Sequence, residues 1–326
     1  MNRKRTEYST SGKRPKPSPA VVREVVRSTP PIPAFSACYA TELGAAYVAD
    51  SLVFMRSLPD ECIDLVMTSP PFALTRKKEY GNRPPHEYID WFMPFAYEVH
   101  RILRPSGSFV IDIGGSWKPG SPTRSLYQYE LLIRLGERFH LAQEFFWYNP
   151  AKLPSPAEWV TVRRVRVTDA VNTVWWLSKT DAPKANNRRV LRPYSESMKA
   201  LLRNGYKAKR RPSGHDISPK FSQDRGGSIP HNLLQIANTE SNSAYLRACR
   251  THSTKPHPAR FPEALPSFFI RFLTDPLDVV VDIFAGSNVT GRAAETLGRK
   301  WIAIDSDSRY IAASKFRFDL DQASLL

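Results

Sequence analysis

Apolar and polar positions along most of the chain follow the two periods of regular secondary structure. Apolar runs bounded by turn residues predict strands at 45–50, 62–68, 107–115 and 170–179, within 277–287, and at 300–307. Apolar residues at helical spacing predict helices at 87–103, 262–273, 288–298 and 308–318. Strands that alternate with helices in this way indicate an α/β fold with a mostly parallel sheet covered on both faces.

Two segments depart from this pattern. Residues 1–33 are rich in Pro, Ser and basic residues and have few large apolar groups, which predicts a flexible basic arm. Residues 181–250 are rich in Lys, Arg, Asn, Ser and Gly, which predicts an inserted lobe made largely of loops. We therefore expect the main domain to comprise two halves, 34–180 and 251–326, on either side of this lobe.

The positive charge is concentrated in the same two regions. The chain carries a net charge of +16, of which residues 1–33 contribute eight Lys/Arg against two Glu. Residues 184–211 contribute ten Lys/Arg against one Glu, so the remainder of the chain is nearly neutral. Charge clustered in this way favours a polyanionic partner, although a basic tail and a solvated loop would give the same composition.

Composition also excludes several classes of protein. No apolar segment approaches the length of a membrane span, and the basic, proline-rich start does not read as a secretory signal. Cys38, Cys62 and Cys249 lie far apart and form no CxxC pair, which argues against a disulfide framework and against a zinc site. We expect a cytoplasmic protein with neither a bound metal nor a membrane partner.

A turn of small residues follows the apolar strand that ends at Asp282. This turn consists of Phe284, Ala285, Gly286, Ser287 and Asn288. Such a turn lets a ligand approach the backbone at the carboxyl end of a strand, and Asp305 ends the next strand, where it can bind a ribose diol or cap a helix. The turn lacks the GxGxxG pattern and a P-loop lysine, so a single-nucleoside cofactor such as S-adenosylmethionine fits better than NAD or ATP.

The strand at 62–68 ends in a stiff turn formed by Ser69, Pro70, Pro71 and Phe72. Proline lacks the N–H that a central strand requires, so the strand must stop here. The turn brings together a hydroxyl, fixed carbonyls and an aromatic ring. This set suits a flat base extruded from a duplex, with Ser69 and the Pro70 carbonyl accepting the amine hydrogens and Phe72 stacking on the ring. Taken alone, the four residues favour an ordinary proline turn, and only the cofactor-type loop and the basic lobe in the same chain favour the functional interpretation.

The SPPF turn and the later FAGS loop, in that order, resemble the β-class amino-methyltransferases of DNA, and most closely the cytosine-N4-specific enzymes of the PvuII type. The similarity covers about residues 46–318 and includes SFVIDIGG, KLPSPAEWV, DAVNTVWW and GGSIPHNLLQI. It implies a circularly permuted, Rossmann-like sheet of the S-adenosylmethionine-dependent methyltransferases with an inserted DNA-recognition lobe. The permutation explains why the glycine turn lies near the end of the chain.

The resemblance also implies roles for matching residues. Those implied as catalytic are Ser69, Pro70, Pro71 and Phe72. Those implied as cofactor-binding are Asp50, His257, Pro258, Ala259, Phe261, Pro262, Asp282, Phe284, Gly286, Ser287, Asn288 and Asp305. Ser287 stands where the general family pattern has a second glycine, and a serine still allows close approach of the backbone.

Some of these positions have a second interpretation. Asp50 is also a candidate helix N-cap, and Pro262 a first helical residue in a rigid loop whose Phe261 otherwise covers an adenine. Asp112, at a predicted strand end, is a further catalytic candidate, either as a proton acceptor or as a cofactor contact. It is also placed to tie down the glycine turn that follows it.

The implied reaction is methyl transfer from S-adenosylmethionine to the N4 amine of a flipped cytosine in double-stranded DNA, in a restriction–modification or epigenetic role. No covalent intermediate is expected, because Cys62 lacks the adjacent proline of a carbon-5 methyltransferase nucleophile. The alternatives are an adenine-N6 methyltransferase of the same fold, an RNA methyltransferase, and a DNA-binding protein without catalysis. Ser rather than Asp or Asn at position 69 favours cytosine, and the intact motifs argue against loss of catalysis.

The lobe offers side chains suited to DNA. Basic groups contact phosphates, whereas base readout requires polar side chains in the major groove. The candidates for DNA contact are Arg211, His215, Lys220, Gln223 and Arg225, with Asp216 a further polar group in the same stretch. A cognate restriction endonuclease, acting separately, is a possible partner, and DNA binding would place the protein at the nucleoid.

Overall fold

A computed structural model describes residues 35–74, 81–205, 223–239 and 243–318. This part of the chain contains one nine-stranded sheet. Its strands are β1 (Tyr39–Ala40), β2 (Gly44–Val48), β3 (Ile63–Thr68), β4 (Leu103–Ile113), β5 (His140–Tyr148), β6 (Val171–Ser178), β7 (Leu233–Gln235), β8 (Val279–Asp282) and β9 (Lys300–Asp305). The order across the sheet is β1-β2-β9-β8-β3-β4-β6-β5-β7.

Helices flank this sheet. The α-helices are α1 (Ser51–Ser57), α2 (Tyr88–Ile102), α3 (Tyr127–Leu135), α4 (Glu196–Asn204), α5 (Ala244–Thr251), α6 (Ala264–Leu273), α7 (Val289–Thr296) and α8 (Ser308–Ser314). Short 3-10 turns occupy Asn187–Val190 and Lys315–Arg317, and a π-helical turn occupies Glu158–Val162.

The sheet order confirms the permuted topology. The last two strands, β8 and β9, lie between the early strands β2 and β3 and run parallel to both. Parallel pairing continues from β3 to β4, but β6 is antiparallel to both β4 and β5. The sheet is therefore parallel, as expected, across the neighbouring strands β2, β9, β8, β3 and β4. Strand β1 and the β5–β6 hairpin add antiparallel pairs, so the whole sheet is mixed. The hairpin reverses direction without a crossover helix, which a parallel pair would require.

Apolar side chains alternate between the two faces of the central strands, as a sheet covered on both sides requires. In β4, Phe109 and Ile111 pack into the core beneath α1, α2 and α3, whereas Val110 packs into the opposite core. That opposite core lies beneath α6, α7 and α8 and includes Trp301 of β9. The two cores fix the sheet between layers of helices, so the loops at its carboxyl edge start from rigid positions.

Several elements were not predicted. Helices α1 and α3 and strand β5 belong to the first half, and residues 181–250 contain α4, β7 and α5. The lobe is therefore less loop-like than its composition indicated. Ser195 and Ser243 cap α4 and α5 by accepting hydrogen bonds from the backbone N–H groups of Met198 and Leu246. Lys, Arg and Leu are good helix formers, so charge alone was a poor guide to loops.

Candidate active site

A cavity of about 800 Å³ lies at the carboxyl edge of the sheet, lined by the turn after β3 and by the loop after β8. In open α/β sheets, ligands bind at this edge. The predicted residues that line the cavity are Asp50, Ser69, Pro70, Pro71, Phe72, Asp112, His257, Pro258, Ala259, Phe261, Phe284, Gly286, Ser287 and Asp305. Three predicted cofactor residues, Pro262, Asp282 and Asn288, do not line it.

The Ser69 hydroxyl is held by a buried carboxylate on the neighbouring strand. Ser69 follows β3 and donates a hydrogen bond from Oγ to Oδ2 of Asp112 on β4, at 3.0 Å. The other carboxylate oxygen accepts a hydrogen bond from Nδ2 of Asn172 on β6, at 3.1 Å. Because Ser69 uses its hydrogen on Asp112, its oxygen lone pairs remain available to accept hydrogen bonds. Asp112 thus faces the cavity and holds the serine there.

Burial changes the acidity of Asp112. Its side chain is only 2% exposed, and desolvation raises the pKa of the carboxyl to about 6, against the opposing hydrogen bonds from Asn172 and Ser69. The group is therefore ionised at neutral pH and becomes protonated in mild acid. A carboxyl whose pKa lies near neutrality is suited to accepting a proton during a reaction.

The ring of Phe72 lies against Gly114, the residue that follows β4. A Cβ added to Gly114 would come within 2.5 Å of this ring, so only glycine leaves room for it. The Leu74 N–H donates to the Phe72 carbonyl at 2.7 Å, and Asn82 donates to the Leu74 carbonyl, which fixes the turn that carries the ring. The aromatic face that the sequence predicted thus has a defined place in the cavity.

Asp282 ties elements together behind the cavity. One carboxylate oxygen accepts hydrogen bonds from the Thr68 hydroxyl at 2.7 Å and from the Phe284 N–H at 3.1 Å. The other accepts from the Thr290 hydroxyl on α7 at 2.7 Å. Burial raises the pKa of this carboxyl to about 6. Its contacts join β3, β8 and α7, so its geometry supports positioning of the cofactor loop more than contact with a ligand.

The loop after β8 owes its shape to two residues with positive φ. Gly286 has φ 51° and Asn288 has φ 52°, in the left-handed region that favours these residue types. The buried Asn288 side chain caps α7 by accepting from the Gly291 N–H and donates to the Tyr39 hydroxyl. Arg317 adds a further restraint, donating to the Ser287 carbonyl at 2.6 Å and to its hydroxyl at 3.2 Å.

Asp305 is bound to the same loop. Its carboxylate accepts hydrogen bonds from the Gly286 N–H at 2.8 Å and from the Asp307 N–H at 2.9 Å. Each carboxylate oxygen has a second lone pair, so these bonds leave acceptor capacity toward the cavity. Burial raises the pKa of Asp305. The N-cap of α8 is Asp307, which accepts from the Arg309 N–H, so the capping interpretation of Asp305 is wrong.

Asp50 combines both of its interpretations. Its carboxylate caps α1 by accepting from the backbone N–H groups of Leu52 and Val53, at 2.9 and 3.0 Å, and it also lines the cavity. Its carboxylate retains unused lone pairs, because both of these bonds go to one oxygen.

His257 lines the cavity beside Gly286 of the loop after β8. Its imidazole lies edge-to-face with the Tyr310 ring, at a centroid distance of 4.5 Å, and burial lowers its pKa. The His257 backbone N–H donates to the Tyr245 hydroxyl at 3.2 Å. Phe261 lines the cavity, whereas Pro262 is buried and its carbonyl accepts a hydrogen bond from the Leu265 N–H at the start of α6. The segment thus places one aromatic ring at the site. Helix α6 begins at Ala264 after the N-cap Glu263, so Pro262 lies before the helix and is not its first residue.

Sequence reasoning missed several residues of the cavity wall. Trp91 and Phe95 of α2 surround Phe284, with ring-centroid distances of 5.7 and 5.1 Å. The polar residues that were missed include Asn149, Lys152, Asn172 and Asn238. Asn172 and Lys152 lie within the DAVNTVWW and KLPSPAEWV segments, but only the hairpin pairing of β5 with β6 brings them to the cavity.

The predicted DNA-contact residues are only partly described. Arg211, His215 and Lys220, like Asp216, lie outside the described residues. Gln223 and Arg225 are exposed and do not line the cavity, and the Arg225 N–H donates to the Tyr194 hydroxyl at 2.8 Å. These two side chains are therefore accessible from outside the cavity.

Searches for metal and membrane features concern the described residues alone. In them, no group of three or more His, Cys, Asp or Glu side chains is arranged to hold a metal ion. Within the same ranges, no helix combines the length and the apolar character needed to cross a membrane.

Comparisons with known proteins agree with this geometry. The solved structure of the cytosine-N4-specific PvuII DNA methyltransferase matches with a TM-score of 0.72 and 49% identity, over 87% of this chain and 89% of that one. TTHA0409 from Thermus thermophilus, in complex with S-adenosyl-L-methionine, matches with a TM-score of 0.53 and 20% identity, over 84% of this chain and 92% of that one. The fold is therefore that of the S-adenosylmethionine-dependent methyltransferases.

The sequence comparisons give the family. Residues 63–316 match the family model described as DNA methylase, which covers enzymes of the N6 and N4 type. The chain is 57% identical over 285 residues to the type II methyltransferase M.PvuII from Proteus hauseri, a match that covers 86% of this chain and 85% of the relative. The chain belongs to the DNA methylase family, and the resemblance drawn from its motifs is confirmed.

Proposed function

We propose that this chain transfers a methyl group from S-adenosylmethionine to the N4 amine of a cytosine extruded from double-stranded DNA, at a specific sequence. The observation that carries the proposal is the Ser69 hydroxyl, bonded to Asp112 at 3.0 Å in a cavity that also contains the loop after β8. Family membership and the 57% identity to M.PvuII support it.

The residues at one end of the cavity fit S-adenosylmethionine. Gly286 has a positive φ, and a Cβ there would come within 3.1 Å of the His257 ring, so the backbone is open to close approach. Asp305 retains acceptor capacity for a ribose diol. Phe284 and Phe261 supply apolar surface, and Asp50 lies at the rim of the same cavity. When bound, the cofactor supplies a methyl group on a positively charged sulfur.

The turn after β3 supplies two acceptors for an amine in the same cavity. The nitrogen of an aromatic amine is a poor nucleophile, because its lone pair is delocalised into the ring. Ser69 Oγ accepts one amine hydrogen and the Pro70 carbonyl, which accepts no hydrogen bond from the described residues, accepts the other. Both bonds draw the nitrogen toward tetrahedral geometry, and holding it in line supplies much of the acceleration.

Asp112 completes the reaction by taking up a proton. The methylated amine must lose one hydrogen, and the ionised Asp112 receives it through the Ser69 hydroxyl to which it is bonded. Asn172 holds the carboxylate in this orientation at 3.1 Å. Phe72 stacks on the extruded ring from its position beside Gly114.

Two regions outside the main domain contact DNA in this proposal. Residues 181–250, the recognition lobe, and the arm at 1–33 bind phosphates, and residues such as Gln223 and Arg225 read bases. The lobe and arm boundaries are those of the amino-acid composition along the sequence. A separate endonuclease of the same specificity would make the pair a restriction–modification system, and both would act on the cytoplasmic nucleoid.

Incubation of the protein with duplex DNA and methyl-deuterated S-adenosylmethionine, followed by mass analysis of the nucleosides, tests the proposal. We expect labelled N4-methylcytosine, because position 69 is a serine. Labelled N6-methyladenine would overturn the choice of base. Absence of any labelled nucleoside, from a protein that binds DNA, would indicate a binding protein without catalysis. Single-stranded RNA of the same sequence serves as the control for the nucleic-acid class.

A further inference from the structure

The connection between β5 and β6 lies at the rim of the cavity. It comprises residues 149–170, and the Asn149 N–H donates to the Ala170 carbonyl at 2.8 Å where its two ends meet. Asn149, Lys152 and Ala170 line the cavity, so both ends of the connection begin at the candidate active site. A connection of this length in a compact domain is commonly functional.

Large apolar side chains are exposed along this connection. Leu153 is 79% exposed and Val167 is 84% exposed, and Val162 and Val165 are 69% and 61% exposed. Single exposed apolar residues are normal, but four within fifteen residues at the mouth of a cavity indicate a surface that meets another molecule.

Aromatic and ionic contacts brace the connection. The Arg166 guanidinium lies 3.8 Å from the centroid of the Trp117 ring, and the Arg163 guanidinium lies 4.9 Å from that of the buried Trp159. Asp169 pairs with Arg124 at 3.5 Å and with Arg166 at 3.7 Å. These contacts restrain the backbone that carries the exposed apolar side chains, which lowers the entropy cost of binding.

The charges of the connection favour a polyanion. It carries four Lys/Arg against one Glu and one Asp, and both acids are engaged in ion pairs within or next to it. Arg164 is exposed, has φ 55° and makes no hydrogen bond or ion pair with the described residues. Positive φ in a non-glycine residue is strained, and such strain tends to be retained at functional sites.

We propose that the connection 149–170 is a DNA-contact element that stabilises the opened duplex beside the extruded base. Leu153 and Val167 pack against the bases that lose their stacking partner, and Arg164 contacts a backbone phosphate. Apolar side chains inserted at a disrupted base step, flanked by basic groups, are a general means of holding distorted DNA. This inference rests on the proposed function, since it requires that a base be extruded into the cavity.

The test compares the double variant Leu153→Ser/Val167→Ser with the wild-type enzyme on a duplex whose methylated cytosine has been mapped with the wild-type enzyme. We expect single-turnover methylation of the double variant to be slower by about tenfold, the size of a lost stacking contact. A second duplex carries a mismatch opposite that cytosine, which makes extrusion easier. On this duplex the variant should recover to within about twofold of the wild-type rate.

A merely misfolded variant would be equally slow on both duplexes, which would contradict the proposal. The matched control is Ile133→Ser, which alters an apolar side chain of α3 that is 71% exposed and should behave as wild type on both duplexes. Arg164→Gln should lower the slope of log affinity against log salt by about one.

Three further outcomes distinguish an error in the DNA-contact element from an error in the proposed function. A double variant as fast as wild type on the matched duplex would overturn the DNA-contact element while leaving the proposed function intact. Failure to find any methylated cytosine when the duplex is mapped with the wild-type enzyme would count against the proposed function itself. If the double substitution abolishes self-association in sedimentation and leaves methylation unchanged, the surface is an interface between copies of this chain.

Discussion

Three polar side chains from three neighbouring strands form the reacting end of the cavity. Ser69 follows β3, Asp112 lies on β4 and Asn172 on β6, and two hydrogen bonds of 3.0 and 3.1 Å join them in a row. The order of the row matters, because Asn172 fixes the carboxylate, and the carboxylate then fixes the serine hydrogen. The lone pairs of the serine are left for the substrate amine.

The raised pKa of Asp112 predicts a specific pH dependence. Because the folded-state pKa is about 6, the carboxylate that accepts from Ser69 is present above pH 6 and is lost as the pH falls through 6. We expect the single-turnover rate to fall to about one-tenth of its plateau by one pH unit below this pKa. Asp112→Asn should be slow at every pH and should lack this acidic limb.

A matched measurement separates Asp112 from the second carboxyl with a pKa near 6. Asp282 titrates in the same range, so the pH profile of Asp112→Asn is decisive. If that variant retains an acidic limb at the same pH, the limb belongs to Asp282 or to another group, and the role given to Asp112 would be contradicted.

At the scale of single residues, the site residues that belong to a sequence motif were predicted. Residues that reach the cavity only through long-range strand pairing were missed. Ser69 and Asp305 were identifiable because each follows an apolar strand. Asn172 was not singled out, since its approach to Asp112 depends on antiparallel pairing of β6 with β4. Asp282 was predicted as a cofactor-binding residue. Its carboxylate instead accepts hydrogen bonds from Thr68 and Thr290, and no local sequence pattern shows these contacts.

At the scale of elements, the ends of strands decide the shape of the cavity. β4 ends at Ile113 and is followed by Gly114, whose missing side chain makes room for the Phe72 ring from the turn after β3. The two strand ends are thus interlocked, and the position of the stacking ring depends on a residue in the neighbouring element.

Gly114→Ala tests this interlock. The added Cβ would come within 2.5 Å of the Phe72 ring and force it to move. We expect methyl transfer to fall by about tenfold or more, because a small misplacement of a positioning group is costly, while affinity for S-adenosylmethionine changes little. Gly136→Ala at the end of α3 is the control, and equal rates for the two variants would show that Phe72 does not need its present position.

Strands and helices were predicted correctly where burial produces a regular spacing of apolar residues. The strands at 62–68 and 170–179 and the helix at 87–103 match β3, β6 and α2 to within a residue or so. Strand β5 was missed because its first four residues are exposed, which removes the apolar run. Helix α4 was missed for a related reason, since it buries no residue and reads as a charged segment.

At the scale of the whole molecule, charge and catalysis are separated. The two basic segments, 1–33 and 184–211, account for nearly all of the net charge of +16, whereas the described residues that line the cavity come from outside both segments. Of these segments, residues 1–33 and 206–211 lie outside the described residues. The permuted order of the sheet was predictable from the order of the motifs, but the mixed direction of its strands was not, because it depends on long-range pairing.

Deletion of residues 1–33 tests the contribution of the arm to DNA binding. The segment carries eight Lys/Arg and two Glu, and each phosphate contact changes the slope of log affinity against log salt by about 0.9. We therefore expect the truncated protein to bind duplex DNA more weakly at low salt and with a shallower slope. Its maximal rate of methylation at saturating DNA should remain unchanged. An unchanged slope would leave the arm without a role in DNA binding.

The most direct test of the whole account is the single-turnover rate of methyl transfer by Ser69→Ala, with DNA and S-adenosylmethionine both saturating. The account predicts a loss on the order of 100-fold, because the amine loses an acceptor and Asp112 loses its path to the proton. Cofactor affinity, measured by calorimetry, should stay within about twofold of wild type, because Ser69 belongs to the turn after β3 and not to the loop after β8 or to Asp305, which are proposed to hold the cofactor. A rate within about threefold of wild type would contradict the account.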